Sequence, residues 1–250
     1  MGMDAKAKMA IGIGLVLASA VVLTVAGSLV LADKATSFDK DPGALEAPGF
    51  DSGEKGDSID WDYWRGVNPD IVGWITVPGT RIDYPVMQGP QSQPDYYLSH
   101  DVYGSWNYHG TPYLAWECHE GGLLGSGNAL VAAHHLQDGT MFSALTGFID
   151  PGFAAEHSPI TIQTPEGKAE LAVLAVDRVN ADVERVRLSF AEGLDHAVWL
   201  ADAVCGADLR LAPDGYDFSS AEHVVTLCTC SYSTWTNERT LVICAVGEAE

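Results

Sequence analysis

A cysteine and an arginine nine residues apart, near the carboxyl end of the chain, have the types and spacing for acyl-transfer chemistry. His223-Val224-Val225-Thr226-Leu227-Cys228-Thr229-Cys230 is an apolar, β-branched run that stops on a thiol. A polar connection rich in Ser, Thr, Asn and Tyr follows, and a second apolar run opens with Arg239 and continues to Val246. Two such runs around a polar loop predict a pair of strands, which would bring Arg239 near Cys230. A thiol attacks a carbonyl as the thiolate, and at the ordinary cysteine pKa of ~8.5 little is ionised at neutral pH. A fixed guanidinium nearby favours ionisation or steadies an oxyanion.

A proton partner is also present. Asn128-Ala129-Leu130-Val131-Ala132-Ala133 reads as a short strand and ends in His134-His135, and Leu136-Gln137-Asp138-Gly139-Thr140-Met141-Phe142 then turns the chain. Thiol, imidazole and guanidinium are all expected at strand ends, from distant parts of the sequence, which is a reasonable active-site constellation.

These segments resemble those of the sortases, transpeptidases of Gram-positive cell surfaces. Thr226-Leu227-Cys228-Thr229-Cys230 with Arg239 is similar to the T-L-x-T-C…R signature, and the stretch from Ala133 to Phe142 is similar to the class B histidine region. Asn68-Pro69-Asp70-Ile71-Val72-Gly73-Trp74-Ile75, Ile82-Asp83-Tyr84-Pro85-Val86-Met87-Gln88 and Tyr96-Tyr97-Leu98 also look like class B sequence. The resemblance runs from about residue 61 to 246 and implies Cys230 as nucleophile, His134 as proton donor and acceptor, and Arg239 as oxyanion or substrate stabiliser. Leu98, Thr229 and Ser231 are the implied substrate contacts. One departure stands out: the family usually has Tyr-Gly before the histidine, and Ala132-Ala133 stand there instead, which removes a hydroxyl.

The elements that must position these groups occupy the last three quarters of 250 residues. Residues 1–8 carry Lys6 and Lys8, and residues 9–32 are free of charge and long enough to span a bilayer. The expectation is a single-pass cell-membrane protein with a cytoplasmic tail, a transmembrane anchor over 9–32, a flexible linker over 33–60 and an extracellular catalytic domain over 61–250. A cleaved signal peptide is the competing reading, and the length of the apolar run favours an anchor. The net charge of −21 argues against nucleic acid as a partner.

Within the domain, periodicity and turn residues predict a short helix over 59–67, strands over 71–77 and 81–87, and a strand over 111–116. They predict a short helix over 140–148, strands over 160–163 and 168–178, and a helix over 194–211 with Leu194, Ala197, Val198, Ala201, Val204 and Cys205 on its packed face. The resemblance implies a mainly β fold: a closed, mostly antiparallel eight-stranded barrel with an amino-terminal helix and one inserted late helix, preceded by the single transmembrane helix. It also puts the polar connection over 180–190 above the site.

Five cysteines leave at least one unpaired, as a working thiol requires. Cys228 and Cys230 share a strand face at a separation unsuited to a disulfide, and Cys118, Cys205 and Cys244 read as small buried residues. A zinc site on Cys228, Cys230 and a histidine is a rival, set back by the lack of two well-spaced ligand pairs. The expected function is a cysteine transpeptidase that cleaves a carboxyl-terminal sorting motif of secreted proteins through a thioester. The acyl group then passes to an amine of a cell-wall precursor or a pilin lysine, with no metal or organic cofactor. A hydrolytic cysteine peptidase and a non-catalytic membrane-anchored binding module are the alternatives.

Overall fold

Short strands of alternating burial, separated by glycine- and proline-containing turns, leave apolar side chains on one face that only a second layer or ring closure can cover. In the computed structural model, which describes residues 59–191, 193–234 and 236–247, the answer is closure. The strands are β1 (Ile71–Thr76), β2 (Asp83–Met87), β3 (Tyr113–Leu114), β4 (Asn128–Ala132), β5 (Ile160–Thr164), β6 (Gly167–Asn180), β7 (Leu209–Arg210), β8 (Val224–Cys230) and β9 (Glu238–Val246). Their order is β5-β1-β2-β3-β4-β8-β9-β6-β7, and a further β5–β6 pairing closes the first eight into a ring, with β7 attached to β6. Only β2–β3 and β4–β8 pair parallel, so the expected eight-stranded, mostly antiparallel barrel is present. The expected tail, anchor and most of the linker lie outside the described residues, among which no helix is long and apolar enough to cross a membrane.

The ring separates an interior from an outer face. Val131, Val225, Leu227, Val242 and Cys244 belong to the interior cluster. Two smaller clusters cover the outside. Helix α1 (Trp61–Val67), capped by Asp60 accepting the Tyr63 amide, buries Trp64 against Trp74, Ile71, Met87 and Tyr97. The helical turn α2 (Gly122–Gly125) and helix α3 (Pro151–Glu156) follow; then α4 (Gly193–Gly206) sets Leu200 and Val204 on Val224, Ile243 and Ala245. Between these two covers the outer face stays open at Ala132, Cys228, Cys230 and Arg239, each of which is only half-buried.

Several expected elements shift, each for a local reason. The segment expected as a helix over 140–148 is a 3-10 helix, Ser143–Ile149, and a true helix follows where Asp150 accepts the Phe153 amide and Pro151 opens the first turn. The strand expected over 111–116 shrinks to Tyr113–Leu114, because residues 116–118 turn into another 3-10 helix. The late helix stops at Gly206 so that Leu209–Arg210 can pair with β6. Its packed face keeps the expected Val204 but otherwise differs: Leu194 and Val198 are 75% and 53% exposed, while His196 and Leu200 are buried. Cys205 is exposed too, a correction to its reading as a small buried residue.

Leu227 is fully buried in the barrel interior, on the strand that carries the thiol but on its opposite face. Replacing it with alanine should cost about 2–5 kcal/mol in urea unfolding, and a loss under about 1 kcal/mol would contradict a tightly filled interior.

Candidate active site

The ladder between β8 and β9 sets Cys230 opposite Arg239, and residues opposed in this way project from one face with Cβ atoms about 4.5–5.5 Å apart. On the other side of β8, β4 pairs Ala132 with Cys228. Two contacts extend this register beyond β4: the Ala133 amide donates to the Cys228 carbonyl at 3.2 Å, and Thr229 Oγ1 donates to the Ala133 carbonyl at 3.0 Å. Followed one step further, the register puts His134 alongside Cys230. The three residues expected to do chemistry thus meet at one end of the open face, where two strands stop and one starts.

His134 is held from two sides. Its Nε2 lies 2.8 Å from the Leu98 carbonyl. A carbonyl only accepts, so Nε2 carries the hydrogen and Nδ1 is left for proton transfer. The Tyr108 ring stacks on the imidazole at 6.1 Å between centroids and 10° between planes. Burial pushes the His134 pKa down, the Leu98 bond opposes this, and neighbouring His109 adds to it. The net shift leaves a neutral imidazole at neutral pH, able to accept a thiol proton.

The loop that follows closes on itself. The Phe142 amide donates to the His134 carbonyl at 2.9 Å, and His135 pairs with Met141. Met141 takes φ 53°, an uncommon conformation for a side chain of its size. At the loop's tip Asp138 accepts the Thr140 amide and hydroxyl, and meets His109 Nε2 at 3.1 Å. His135 does not face the groove as a second proton carrier: its Nδ1 donates to the Cys230 carbonyl at 2.8 Å and pins the end of β8.

Beside the sulfur stands the exposed Tyr232, whose phenol the neighbouring Cys230 raises above its usual range. Cys228 differs: burial pushes its thiol up to about 12 against the pull of Arg239, so of the two thiols it is the unreactive one. Arg239 Nη1 donates to the Glu238 carbonyl at 3.0 Å, which uses one of five guanidinium N–H groups.

Glu238 holds this end of the barrel together, and sequence reasoning missed it. Its side chain is fully buried and accepts the Ser233 hydroxyl at 2.6 Å, the Ser233 amide at 3.2 Å and the Thr234 amide at 2.9 Å. Burial alone would raise the carboxyl, and the Ser233 hydroxyl with the Ser233 and Thr234 amides outweighs it, holding the group at about 2. The visible signal was a single acid at the head of an apolar strand beside a Ser- and Thr-rich loop.

Of the three residues expected to touch substrate, Leu98 contributes the carbonyl that orients His134. The Thr229 side chain instead points away from the groove, buried and bonded to Ala133, because it alternates with Cys228 and Cys230 along β8. Ser231 is buried, its amide donating to the Glu238 carbonyl at 3.0 Å. The connection after β6 is tied at one end by the Ala181 amide to the Asn237 carbonyl and at the other by Asn128 Nδ2 to the Arg187 carbonyl. It therefore borders the open face.

A family model for the sortase domain matches residues 75–246. The chain belongs to the sortase family. Within it the relatives are of class B. Sortase B of Listeria monocytogenes is 26% identical over 164 residues, 66% of this chain and 64% of that protein, so the match spans a little under two thirds of that relative's length. Sortase B of Staphylococcus aureus is 26% identical over 186 residues, 72% of this chain and 71% of that protein. The X-ray structure of Clostridium perfringens sortase B agrees with a TM-score of 0.66 at 25% identity, covering 75% of this chain and 99% of that one. The class B sortase fold accounts for the barrel, the amino-terminal helix and the late helix alike.

Gly110 has φ 63°, and a Cβ there would meet the Leu98 and Tyr97 carbonyl oxygens at 2.6 Å. Gly110→Ala should disturb the Leu98–His134 bond, seen as a shifted His134 Nε2–H resonance; an unchanged resonance would show that the carbonyl does not orient the ring. Because the folded pKa of Glu238 lies below its ordinary 4.5, its stabilising effect is present above about pH 4.5 and lost as pH falls toward 2. Glu238→Gln should cost about 1–3 kcal/mol at neutral pH and flatten the acid dependence of stability in that window. An unaltered pH profile would contradict the assignment.

Proposed function

We propose that the chain is a membrane-tethered cysteine transpeptidase in which Cys230, His134 and Arg239 carry the reaction. The observation that supports this most is the β8–β9 register, which opposes thiol and guanidinium on an open face at the barrel end where His134 also emerges. His134 Nδ1 takes the Cys230 proton and the thiolate adds to a backbone carbonyl of a secreted protein's sorting motif. Arg239 hydrogen-bonds the oxyanion that forms. As the C–N bond breaks, the Nδ1 proton passes to the leaving amine, and a thioester remains on Cys230. An amine then attacks, the C–S bond breaks, and its proton returns through His134 to the sulfur.

Staphylococcus aureus sortase B has been solved as a substrate complex, and a sortase B has been solved with triglycine. Those complexes support a peptide acyl donor and an amine-ended acceptor as ligand classes here. The apolar segment over 9–32 supports a single-pass membrane anchor with the barrel outside the cell.

A randomised pentapeptide library incubated with the protein and read by intact-mass spectrometry tests the reaction. Wild type should carry an acyl adduct on Cys230 that hydroxylamine releases as a hydroxamate, and Cys230→Ala should carry none. Arg239→Ala should slow acylation about 10²–10³-fold, the usual cost of an oxyanion donor. An adduct that persists in Cys230→Ala would sink the mechanism, and turnover giving only free acid in the presence of amine would assign a hydrolase.

A further inference from the structure

Tyr113 brings a phenol to the thiol from the side opposite Arg239. On β3 it pairs with Ala132, and Ala132 pairs with Cys228. The three form one row across the open face, and Cys230 with Arg239 forms the next row on that face. Ala132 interposes only a methyl group, so a phenol can reach across it toward the sulfurs. The ring packs against the outer cluster of Trp64, Trp74, Met87 and Tyr97, which fixes its direction. Cys228, Asp95, Cys230 and Arg239 are its charged or ionisable neighbours; burial, with the two cysteines and Asp95, pushes the phenol up to about 12 against the pull of Arg239, so it remains a donor at working pH. Among the described residues the Tyr113 hydroxyl makes no hydrogen bond. A donor held in place, half-buried and unpartnered among the described residues suits an acceptor supplied from outside.

We propose that Tyr113 is a substrate-binding residue whose hydroxyl donates to a backbone carbonyl oxygen of the acyl-donor peptide as it crosses Ala132 and Cys228. This rests on the transpeptidase reading above and adds the group that fixes the peptide's register next to the scissile bond. Arg239 serves the carbonyl under attack; Tyr113 serves a neighbouring one. That bond forms equally in the ground state and in the transition state, so its loss raises KM and leaves kcat in place.

The test uses the full chain and the peptide from the randomised library that acylates wild type fastest. Tyr113→Phe keeps the ring and should lower kcat/KM about tenfold through KM, with kcat and the rate of Cys230 alkylation by iodoacetamide unchanged. Ala132→Leu fills the gap the phenol crosses; it should lose a similar amount alone, and the double variant should lose no more than either single one. Tyr113→Phe within about twofold of wild type, or slowing that appears equally in alkylation, overturns the proposal. If wild type forms no acyl adduct with any library member, the transpeptidase reading falls and this assignment falls with it. An active wild type with an unaffected Tyr113→Phe removes only the role of the phenol.

Discussion

The register between β8 and β9 is the constraint on which the rest of the site depends. A slip of one residue would move Cys230 to the interior and Arg239 to a different partner, since side chains alternate across a sheet. That register has two guards. At the barrel's end, the buried Glu238 carboxylate gathers the Ser233 and Thr234 amides and closes the loop from one strand to the next. Inside it, Leu227 and Val242 face each other in the interior cluster, and a slip would expose them.

Covering the outer face only in part is what makes the thiol usable. Helix α1 and helix α4 each seal a portion of the sheet with apolar contacts, and the strip between them keeps Cys230 reachable. Cys228, one row away, shows the other outcome: the same strand and face, yet a thiol raised to about 12 by burial. Two residues of displacement along a strand separate a thiol that faces Arg239 from one that burial raises. The histidine is treated in the same economical way, with its tautomer set by a main-chain carbonyl rather than by a carboxylate.

Much of the barrel is legible in the sequence because its strands alternate and its turns carry Gly and Pro, and the resemblance supplies the ring's closure. The meeting of Cys230 with Arg239 is legible from two β-branched runs flanking a polar loop. What escapes depends on side-chain direction after folding. The late helix has enough apolar residues for more than one candidate stripe, and only contact with Val224 and Ile243 selects Leu200, beside the expected Val204, over Leu194 and Val198. Adjacency in sequence suggests that Thr229 shares the groove with Cys230, whereas the pleat sends it to the other face. Glu238 escapes because a lone acid at the head of an apolar strand does not say that the hydroxyl and amides of the adjoining Ser- and Thr-rich loop will enclose it. Tyr113 sits in a strand of two residues, too short for periodicity to reveal which face it uses.

The proposed reaction requires that, of five cysteines, the one facing a guanidinium across the ladder on the open face be the reactive one. The relative rates at which the five cysteines take up iodoacetamide at neutral pH, mapped by peptide mass spectrometry, test it most directly. The account predicts Cys230 first, ahead of exposed Cys205, with Cys118, Cys228 and Cys244 protected, and the lead of Cys230 lost in Arg239→Ala. Labelling of Cys228 before Cys230, or a Cys230 rate indifferent to Arg239, would contradict it.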